Sequence, residues 1–543
     1  MSDVVKEVEK KTRKKREKKE EKVISIEAAL WNSANKLRGS VEASEYKHVV
    51  LPLLFLKYAN EKYEIQKAKL ISDGMGAFIN EDYAYLKDNV FLVPEEARWS
   101  YLMANAKTSD ITLKIDRAFS LIDAQHNDGL KDALPVGYFL TLQIDSVRLG
   151  SILDELNKIN LDMDSDVFGR CYEYCLAKFA VPEGKGKGEF YTPKTVVQLL
   201  CELIEPYNGI IYDGACGSGG MFVQAMDYVK KHEGTVKDLS IYGQEYTAST
   251  RRLAMLNLAV RGLPGNFGNK PASTFQEDQH FDLKADYILM NPPFNQKDWR
   301  TEQELVNDKR WEGYKVPPVS NANYAWILNA VSKLSDDGVA AIILSNGSLS
   351  AGNVGNDEYE IRKQLIENDL VEAILILPRD MFYSTNISVS VWVINKNKGS
   401  KLIKSDVDYI VRDRRNEVLF MDLRKMGHIY EKKYIEFTEA DRNYITSYFK
   451  AWRTQGEKRN RRGIKYENIK EFCYSATKEE IKNNDYSLIP SKYIEFDKNT
   501  EVANYDTEMK KIQVELKDLF VEEKETRKNL AKVLEELGYG IEL

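Results

Sequence analysis

The stretch Ile210-Ile211-Tyr212-Asp213-Gly214-Ala215-Cys216-Gly217-Ser218-Gly219-Gly220-Met221 decides how the middle of this chain folds. A short β-branched and aromatic run ends on an acid, crosses a glycine-rich turn and enters a helix-like pattern near Met221. Strand, tight turn and helix in that order open a unit of parallel α/β structure, in which ligands bind outside the carboxyl ends of the strands. The glycines let backbone come close to a ligand, and the first N–H groups of the following helix suit a carboxylate or phosphate.

Outward from this turn, the candidate strands are Ile210–Tyr212, Ile241–Gly243, Tyr287–Met290, Ala340–Leu344, Ala373–Leu377 and Ser388–Ile394. Helix-like stretches lie between them, including Thr247–Arg261 and Tyr324–Leu334. The alternation predicts a mainly parallel sheet covered by helices. Glu245 closes the second strand, where an acid accepts hydrogen bonds from ribose hydroxyls; its other reading is a neighbour of a helix N-cap at Thr247. The turn does not spell GxGxxG, so it serves a dinucleotide or S-adenosylmethionine equally well.

Asn291-Pro292-Pro293-Phe294 follows the strand Tyr287–Met290 directly. The Asn291 amide oxygen and the Pro292 carbonyl form a pair of acceptors for both protons of an NH2 group, and the Phe294 ring is a stacking surface for a heterocycle. The matching substrate is an amino group with a delocalised lone pair, such as N6 of adenine.

The 543 residues, 43% hydrophobic and 30% charged, describe a globular chain of about three or four domains. The apolar run Val49–Leu56 is far below the ~20 residues that span a bilayer, so no membrane segment is expected. The Lys- and Glu-rich opening lacks an apolar core and does not read as a targeting peptide. Five cysteines without a CxxC pair point to a reducing compartment, the cytoplasm, and away from a metal site.

Residues 1–22 are a charged, low-complexity arm expected to be disordered. From residue 23 to 180 apolar residues recur at helical spacing, as in Leu30, Trp31, Ala34, Leu37 and then Tyr46, Val49, Val50, Leu53, Leu54, Tyr58; the aromatic members are read as packing. Gly184-Lys-Gly-Lys-Gly188 links this helical domain to the α/β domain, residues 181–400. Residues 401–543 end in a helical stretch with Met509, Ile512, Leu516, Leu519, Leu530, Val533, Leu534 and Leu537, which suits a dock for a partner or a helix packed on its own protein. A net charge of −6 is unfavourable for binding duplex phosphates alone, so a partner is expected to supply a basic surface. The local basic cluster Lys458–Arg462 reads as a solvated loop or a phosphate contact.

Taken in order, Gly188-Glu-Phe-Tyr-Thr-Pro193, the glycine turn, the acid and Asn-Pro-Pro-Phe resemble the amino-methyltransferases of DNA, and within them the modification subunits of type I restriction-modification systems. Leu30-Trp-Asn-Ser-Ala-Asn-Lys-Leu-Arg-Gly39, Ala43–Lys47, Ala322–Ile327 and Leu344–Gly347 extend the likeness over most of the chain. The resemblance implies a Rossmann-like methyltransferase core using S-adenosylmethionine, with a helical N-terminal domain and a helical C-terminal tail. It implies that Glu189, Phe190, Tyr191, Thr192, Pro193 and Lys194 wrap the cofactor, with Thr192 at its methionine end. Asp213, Gly217, Ser218, Gly219 and Gly220 would form the floor and helix entrance, and Glu245 would hold the ribose. Asp278 is the candidate for the cofactor adenine, with Ser273 and Thr274 as substitutes. Gly214 and Met221 depart from the family's usual Pro and Phe.

The implied activity is methylation of adenine N6 in DNA, the base being flipped out of the duplex against Phe294. The long segment Asn295–Asn321, with Lys297, Trp299, Arg300, Trp311 and Tyr314, either closes over that base or is a surface insertion. The implied partners are DNA, a specificity subunit shared by two modification subunits, and a restriction endonuclease subunit. Related tetrapeptides also serve methyltransferases of protein glutamine or RNA bases, and that alternative stays open on the tetrapeptide alone. No GxxxxGK[ST] is present.

Overall fold

The computed structural model describes residues 26–86, 88–125, 130, 132–161, 167–180, 192–382, 385–403, 408–430, 434–454, 464–496 and 498–536. The charged arm, the glycine–lysine link, Glu189, Phe190, Tyr191 and the basic cluster Lys458–Arg462 lie outside these residues.

The N-terminal helices α1 (Ile26–Asn35), α2 (Tyr46–Ser72), α3 (Ile111–Asp123), α4 (Ser146–Asn157) and α5 (Val167–Ala180) pack around one core. The stripe that predicted them is where that core lies: Leu30, Ala34, Leu37, Val49, Val50, Leu53 and Leu54 are buried. Trp31 is a correction, because it turns away from the stripe and is 41% exposed. One turn of helix presents about 100° per residue, and Leu30 and Ala34 already occupy the inward face.

Helices α6 (Lys194–Ile204), α7 (Gly220–Lys231), α8 (Ala248–Ala259), α9 (Asn323–Lys333) and α10 (Asp357–Glu367) alternate with strands β1 (Gly209–Asp213), β2 (Leu239–Gly243), β3 (Gly265–Asn266), β4 (Ala285–Met290), β5 (Leu334–Ser345), β6 (Val371–Ile376) and β7 (Val389–Asn395). Further on come the ribbon β8 (Lys401–Ile403) and β9 (Tyr409–Val411), strand β10 (Glu417–Asp422), the ribbon β11 (His428–Tyr430) and β12 (Tyr434–Glu436), helix α11 (Glu439–Arg453) and strand β13 (Cys473–Thr477). Among the described residues one sheet runs β13-β10-β6-β7-β5-β4-β1-β2-β3.

The pairs β1–β2, β1–β4, β2–β3, β4–β5 and β6–β10 are parallel, whereas β7 inserts antiparallel between β5 and β6 and β13 pairs antiparallel with β10. Helices α6, α7 and α11 cover one face, and α9 and α10 the other. That two-sided cover explains why β6 and β7 are buried along their whole length and are mostly apolar, with Glu372, Ser390 and Asn395 as the buried polar exceptions.

The sheet continues past residue 400, since β10 and β13 extend it. These strands were masked by charge. Glu372 on β6 is buried and bonded by Arg414 Nε at 2.8 Å and Asn395 Nδ2 at 2.7 Å, with Arg453 of α11 also against it. Burial alone would raise this carboxyl, but Arg453 and Arg414 outweigh that and hold it down at about 2. Trp452, Phe449 and Ile445 of α11 fill the core beneath, each contributing on the order of 2 kcal/mol.

The long helix α12 (Lys498–Glu536) has neither glycine nor proline to interrupt it and forms a single rod. Its Ile512, Leu516, Leu519, Phe520, Leu530 and Val533 are exposed. Among the described residues no helix is long and apolar enough to cross a membrane.

Candidate active site

Strands β1, β2 and β4 are parallel neighbours, so their carboxyl ends lie side by side. Asp213, Glu245 and Asn291 follow from those three ends. The first turn is built on backbone: Cys216 N–H donates to the Gln244 carbonyl at 3.1 Å and Gly219 N–H to the Cys216 carbonyl at 2.8 Å. Gly217 and Gly219 have φ of +53° and +79°, which disfavours a side chain at either position. On the side where Gly217 would carry a Cβ the space is open, whereas a Cβ on Gly219 would sit 3.4 Å from Ala254 of α8. Gly217 therefore faces a free volume and Gly219 a helix crossing. Ser218 offers its carbonyl to Asn257 Nδ2 at 2.9 Å, and Gly220 begins α7.

Glu245 is half-buried, and both of its oxygens are oriented: Oε2 accepts from Gly217 N–H at 3.1 Å and Oε1 from Thr247 N–H at 2.8 Å. It thus holds the entrance of α8 and the glycine turn at once. Asp213 is buried, and its Oδ1 accepts from Ala215 N–H at 2.9 Å. Burial pushes its carboxyl up to about 8, an effect that the Ala215 N–H opposes and Glu245 reinforces.

At the end of β4, Asn291 Nδ2 donates to Thr192 Oγ1 at 2.8 Å. Its Oδ1 is buried and has no hydrogen-bond partner among the described residues. An unsatisfied buried acceptor costs about 1–3 kcal/mol and calls for an explanation. Phe294 is half-buried and meets Phe382 edge to face with centroids 6.5 Å apart. The backbone then turns at Asn295, φ +51°. Asn295 N–H donates to Asn323 Oδ1 at 3.0 Å, while its Oδ1 accepts from Asn323 Nδ2 at 2.9 Å and Ser345 Oγ at 2.8 Å. Asn323 and Ser345 were visible only as parts of segments resembling the family, and the role they share emerges from the fold.

Pro193 and Lys194 lie at the start of α6, where Pro193 is buried and Lys194 pairs with Glu173 at 3.3 Å. Met221 is buried in the core under the sheet. The Asp278 carboxylate is engaged by Lys333 and by its own loop. Its Oδ2 lies 2.6 Å from Lys333 Nζ at the far end of α9, and its Oδ1 accepts from His280 N–H at 2.9 Å. Of the substitutes named beside it, Thr274 donates its Oγ1 proton to the Gly214 carbonyl, and Ala272, just before them, gives its N–H to the Glu245 carbonyl at 3.1 Å. Gly214 is glycine for a local reason, because a Cβ there would lie 2.7 Å from the Tyr212 hydroxyl.

The segment Asn295–Asn321 carries its own small core. Trp299 and Trp311 are buried, Trp299 Nε1 donates to the Pro318 carbonyl at 2.8 Å, and Arg300 NH2 to the Pro317 carbonyl at 2.8 Å. Arg310 donates to the carbonyls of Thr274 and Phe275, both at 2.6 Å, which ties this segment to the glycine-turn side of the site. The two buried arginines are thereby committed to backbone carbonyls and to Asp308, 2.8 Å from Arg310.

The HsdM N-terminal domain family matches residues 26–156, and the N-6 DNA Methylase family matches residues 163–502. The chain is 36% identical to the methylase subunit of the type I restriction enzyme HindI of Haemophilus influenzae, over 82% of this chain and 100% of that relative. It is 32% identical to the methylase subunit of the type I restriction enzyme MjaIX of Methanocaldococcus jannaschii, over 94% of this chain and 91% of that one. The solved methyltransferase subunit of a type I restriction-modification system from Streptococcus thermophilus shares the fold, with a TM-score of 0.69 at 24% identity, covering 87% of this chain and 100% of the other. The chain belongs to the N-6 DNA Methylase family, among the methylase subunits of type I restriction enzymes.

Proposed function

We propose that this chain methylates N6 of adenine at a specific DNA sequence, with S-adenosylmethionine as donor, and that Asn291 and Pro292 accept the protons of the amine. The observation that carries this reading is the buried Asn291 Oδ1, without a partner among the described residues, at the carboxyl end of β4. An amine proton would satisfy it. The DNA family favours adenine over the protein-glutamine and RNA alternatives.

The residues fit the cofactor on three counts: open space at Gly217, the oriented carboxylate of Glu245, and the helix entrance at Gly220. Glu245 would take the ribose hydroxyls, and the glycine turn with Asp213 would form the floor. Glu189, Phe190, Tyr191, Pro193 and Lys194 are proposed on the other side by resemblance, with the Ser273–Thr274 segment in place of Asp278 toward the adenine. S-adenosylmethionine, when bound, supplies an electrophilic sulfonium methyl.

The chain's own task is to make N6 nucleophilic. Two oxygens accepting its protons would favour a pyramidal nitrogen and offset the charge that grows as the N–C bond forms while the methyl–sulfur bond breaks and the donor leaves as a neutral thioether; the surplus proton would then pass to solvent. Phe294 would stack on the flipped base, and the hydrogen bonds of Asn295 hold the turn that carries it.

Target choice is assigned to a specificity subunit docked on the exposed apolar residues of α12, with two modification subunits to each specificity subunit and a restriction subunit as a further partner. The acidic net charge supports such a division of labour. The test is transfer of labelled methyl from S-adenosylmethionine to unmethylated genomic DNA, with and without the co-expressed specificity subunit. Loss of label in Asn291→Ala is expected. Full activity in that variant, or label in protein or RNA, would overturn the reading.

A further inference from the structure

We propose that Thr192 is the positioning residue for Asn291: its hydroxyl anchors the Nδ2 end of the amide, so that Oδ1 faces the substrate amine. This rests on the role given to Asn291 above and assigns Thr192 a task different from the cofactor contact that resemblance implies.

An asparagine amide carries an acceptor and a donor on nearly equivalent arms, and a half-turn about its last torsion exchanges them. In the useful orientation Oδ1 receives a proton from N6. In the other, an NH2 group confronts an NH2 group and the acceptor is lost. Nothing inside Asn291-Pro292-Pro293-Phe294 holds the useful orientation, because whichever arm faces the substrate, the other must be satisfied by something outside the tetrapeptide.

Thr192 supplies that partner. Its Oγ1 accepts from Asn291 Nδ2 at 2.8 Å, across 99 residues of sequence, while Oδ1 stays buried and unpaired among the described residues. The hydroxyl comes from a stiff support. A β-branched side chain has few χ1 choices, and Thr192 directly precedes Pro193, whose ring fixes its own φ. The Pro193 carbonyl receives the N–H groups of Val196 and Val197 at 3.0 and 3.1 Å, closing the first turn of α6. Val196, Val197, Leu199 and Leu200 of that helix are buried against the sheet that carries β4. The hydroxyl and the amide are thus fixed to the same rigid body from two sides, and the geometry of the acceptor is set before any substrate arrives.

The test compares Thr192→Val, Thr192→Ser and Asn291→Ala in the full chain co-purified with its specificity subunit. Labelled S-adenosylmethionine and unmethylated DNA give kcat at saturation, calorimetry gives the cofactor Kd, and thermal melting reports the fold. Thr192→Val is expected to lower kcat about 10- to 100-fold, the effect of losing one hydrogen bond to a positioned group, with cofactor Kd within about threefold. Thr192→Ser should restore most of the rate, because it returns the hydroxyl. A Kd that weakens while kcat at saturation holds would make Thr192 a cofactor contact and overturn the proposal, as would an unchanged kcat or failure of serine to rescue. Should Thr192→Val not fold, the proposal stands or falls on Thr192→Ser and Thr192→Ala, which must differ in kcat and not in Kd. If Asn291→Ala is inactive while the Thr192 variants are normal, this proposal fails and the role of Asn291 survives; if Asn291→Ala is active, that earlier reading has failed.

Discussion

Asn257 on α8 donates from Nδ2 to the Ser218 carbonyl at 2.9 Å, beside the point where Gly219 meets Ala254 of the same helix. A neighbouring face of α8 belongs to the N-terminal domain: Leu253 and Leu256 are part of its core, and Tyr172 donates its hydroxyl proton to the Leu253 carbonyl at 2.6 Å. One helix therefore holds the glycine turn with one face and the helical domain with the other. Asn257→Ala is expected to weaken cofactor binding roughly tenfold, the effect of one buried hydrogen bond, with little change in kcat at saturation. Calorimetric titration of S-adenosylmethionine checks this, and an unchanged Kd would count against the crossing as a determinant of the turn.

Asn323 makes two bonds to Asn295, one to its backbone N–H and one to its side-chain Oδ1. Asn323→Ala should lower kcat at least about tenfold and destabilise the chain by about 1–3 kcal/mol, because Asn323 is itself buried and both part-buried bonds are lost. Ser345→Ala, which removes one bond, should do less on both counts. Equal and normal rates in both variants would show that the turn holds itself.

The buried Asp213 sets a pH dependence. Its pKa rises from an ordinary 3.8 to about 8 in the fold, so between those values the folded chain binds the proton that the unfolded chain has lost. Stability without cofactor therefore falls as pH rises through that window, by up to about 1.4 kcal/mol per pH unit. Asp213→Asn keeps an acceptor for the Ala215 N–H and removes the charge, so its melting temperature should lose this slope. Parallel pH profiles for both proteins would refute the assignment.

Glu372 has the opposite sign. Its carboxyl is held at about 2 by Arg453 and Arg414 against the cost of burial, so its contribution is present above the usual carboxylate pKa and is lost as pH falls toward about 2. Glu372→Gln leaves two buried guanidinium groups with less compensation and should cost about 3–5 kcal/mol in denaturant unfolding near neutral pH. A loss below 1 kcal/mol, on the scale of an exposed pair, would mean that water reaches the network.

Removing residues 497–543 should abolish co-purification with the specificity subunit while cofactor binding survives. The exposed Leu516, Leu519 and Phe520 of α12 motivate this. Unchanged assembly of the truncated chain would move the docking surface elsewhere.

The helical stripe of α1 and α2 and the strands β1, β2, β4, β5, β6 and β7 were legible in sequence, because each buries a face or its whole length and so must be apolar at a fixed period. Strands β10 and β13 were not. Their neighbourhood carries Arg412, Arg414, Arg415 and Lys478, and the charges that disguise it as a solvated tail include Arg414, a partner of buried Glu372. The same limit hid the fate of the segment Asn295–Asn321. Arg300 stood in a segment that the sequence left as either a cover for the base or a surface insertion, and the fold spends both it and Arg310 on main-chain carbonyls.

By itself the sequence determined the class of chemistry: a glycine turn after one strand, an acid after the next and Asn-Pro-Pro-Phe after a third are local patterns, each fixed by which residue types a turn or an acceptor pair requires. Only the tertiary structure decided which groups remain free to act. Asp278 and Thr274 are four residues apart, but Asp278 meets Lys333 while Thr274 meets Gly214. Thr192 reaches Asn291 from 99 residues away. The physical reason is that a buried polar group must find its partner wherever the packed sheet and helices bring one within about 3 Å, and distance along the chain carries no information about that.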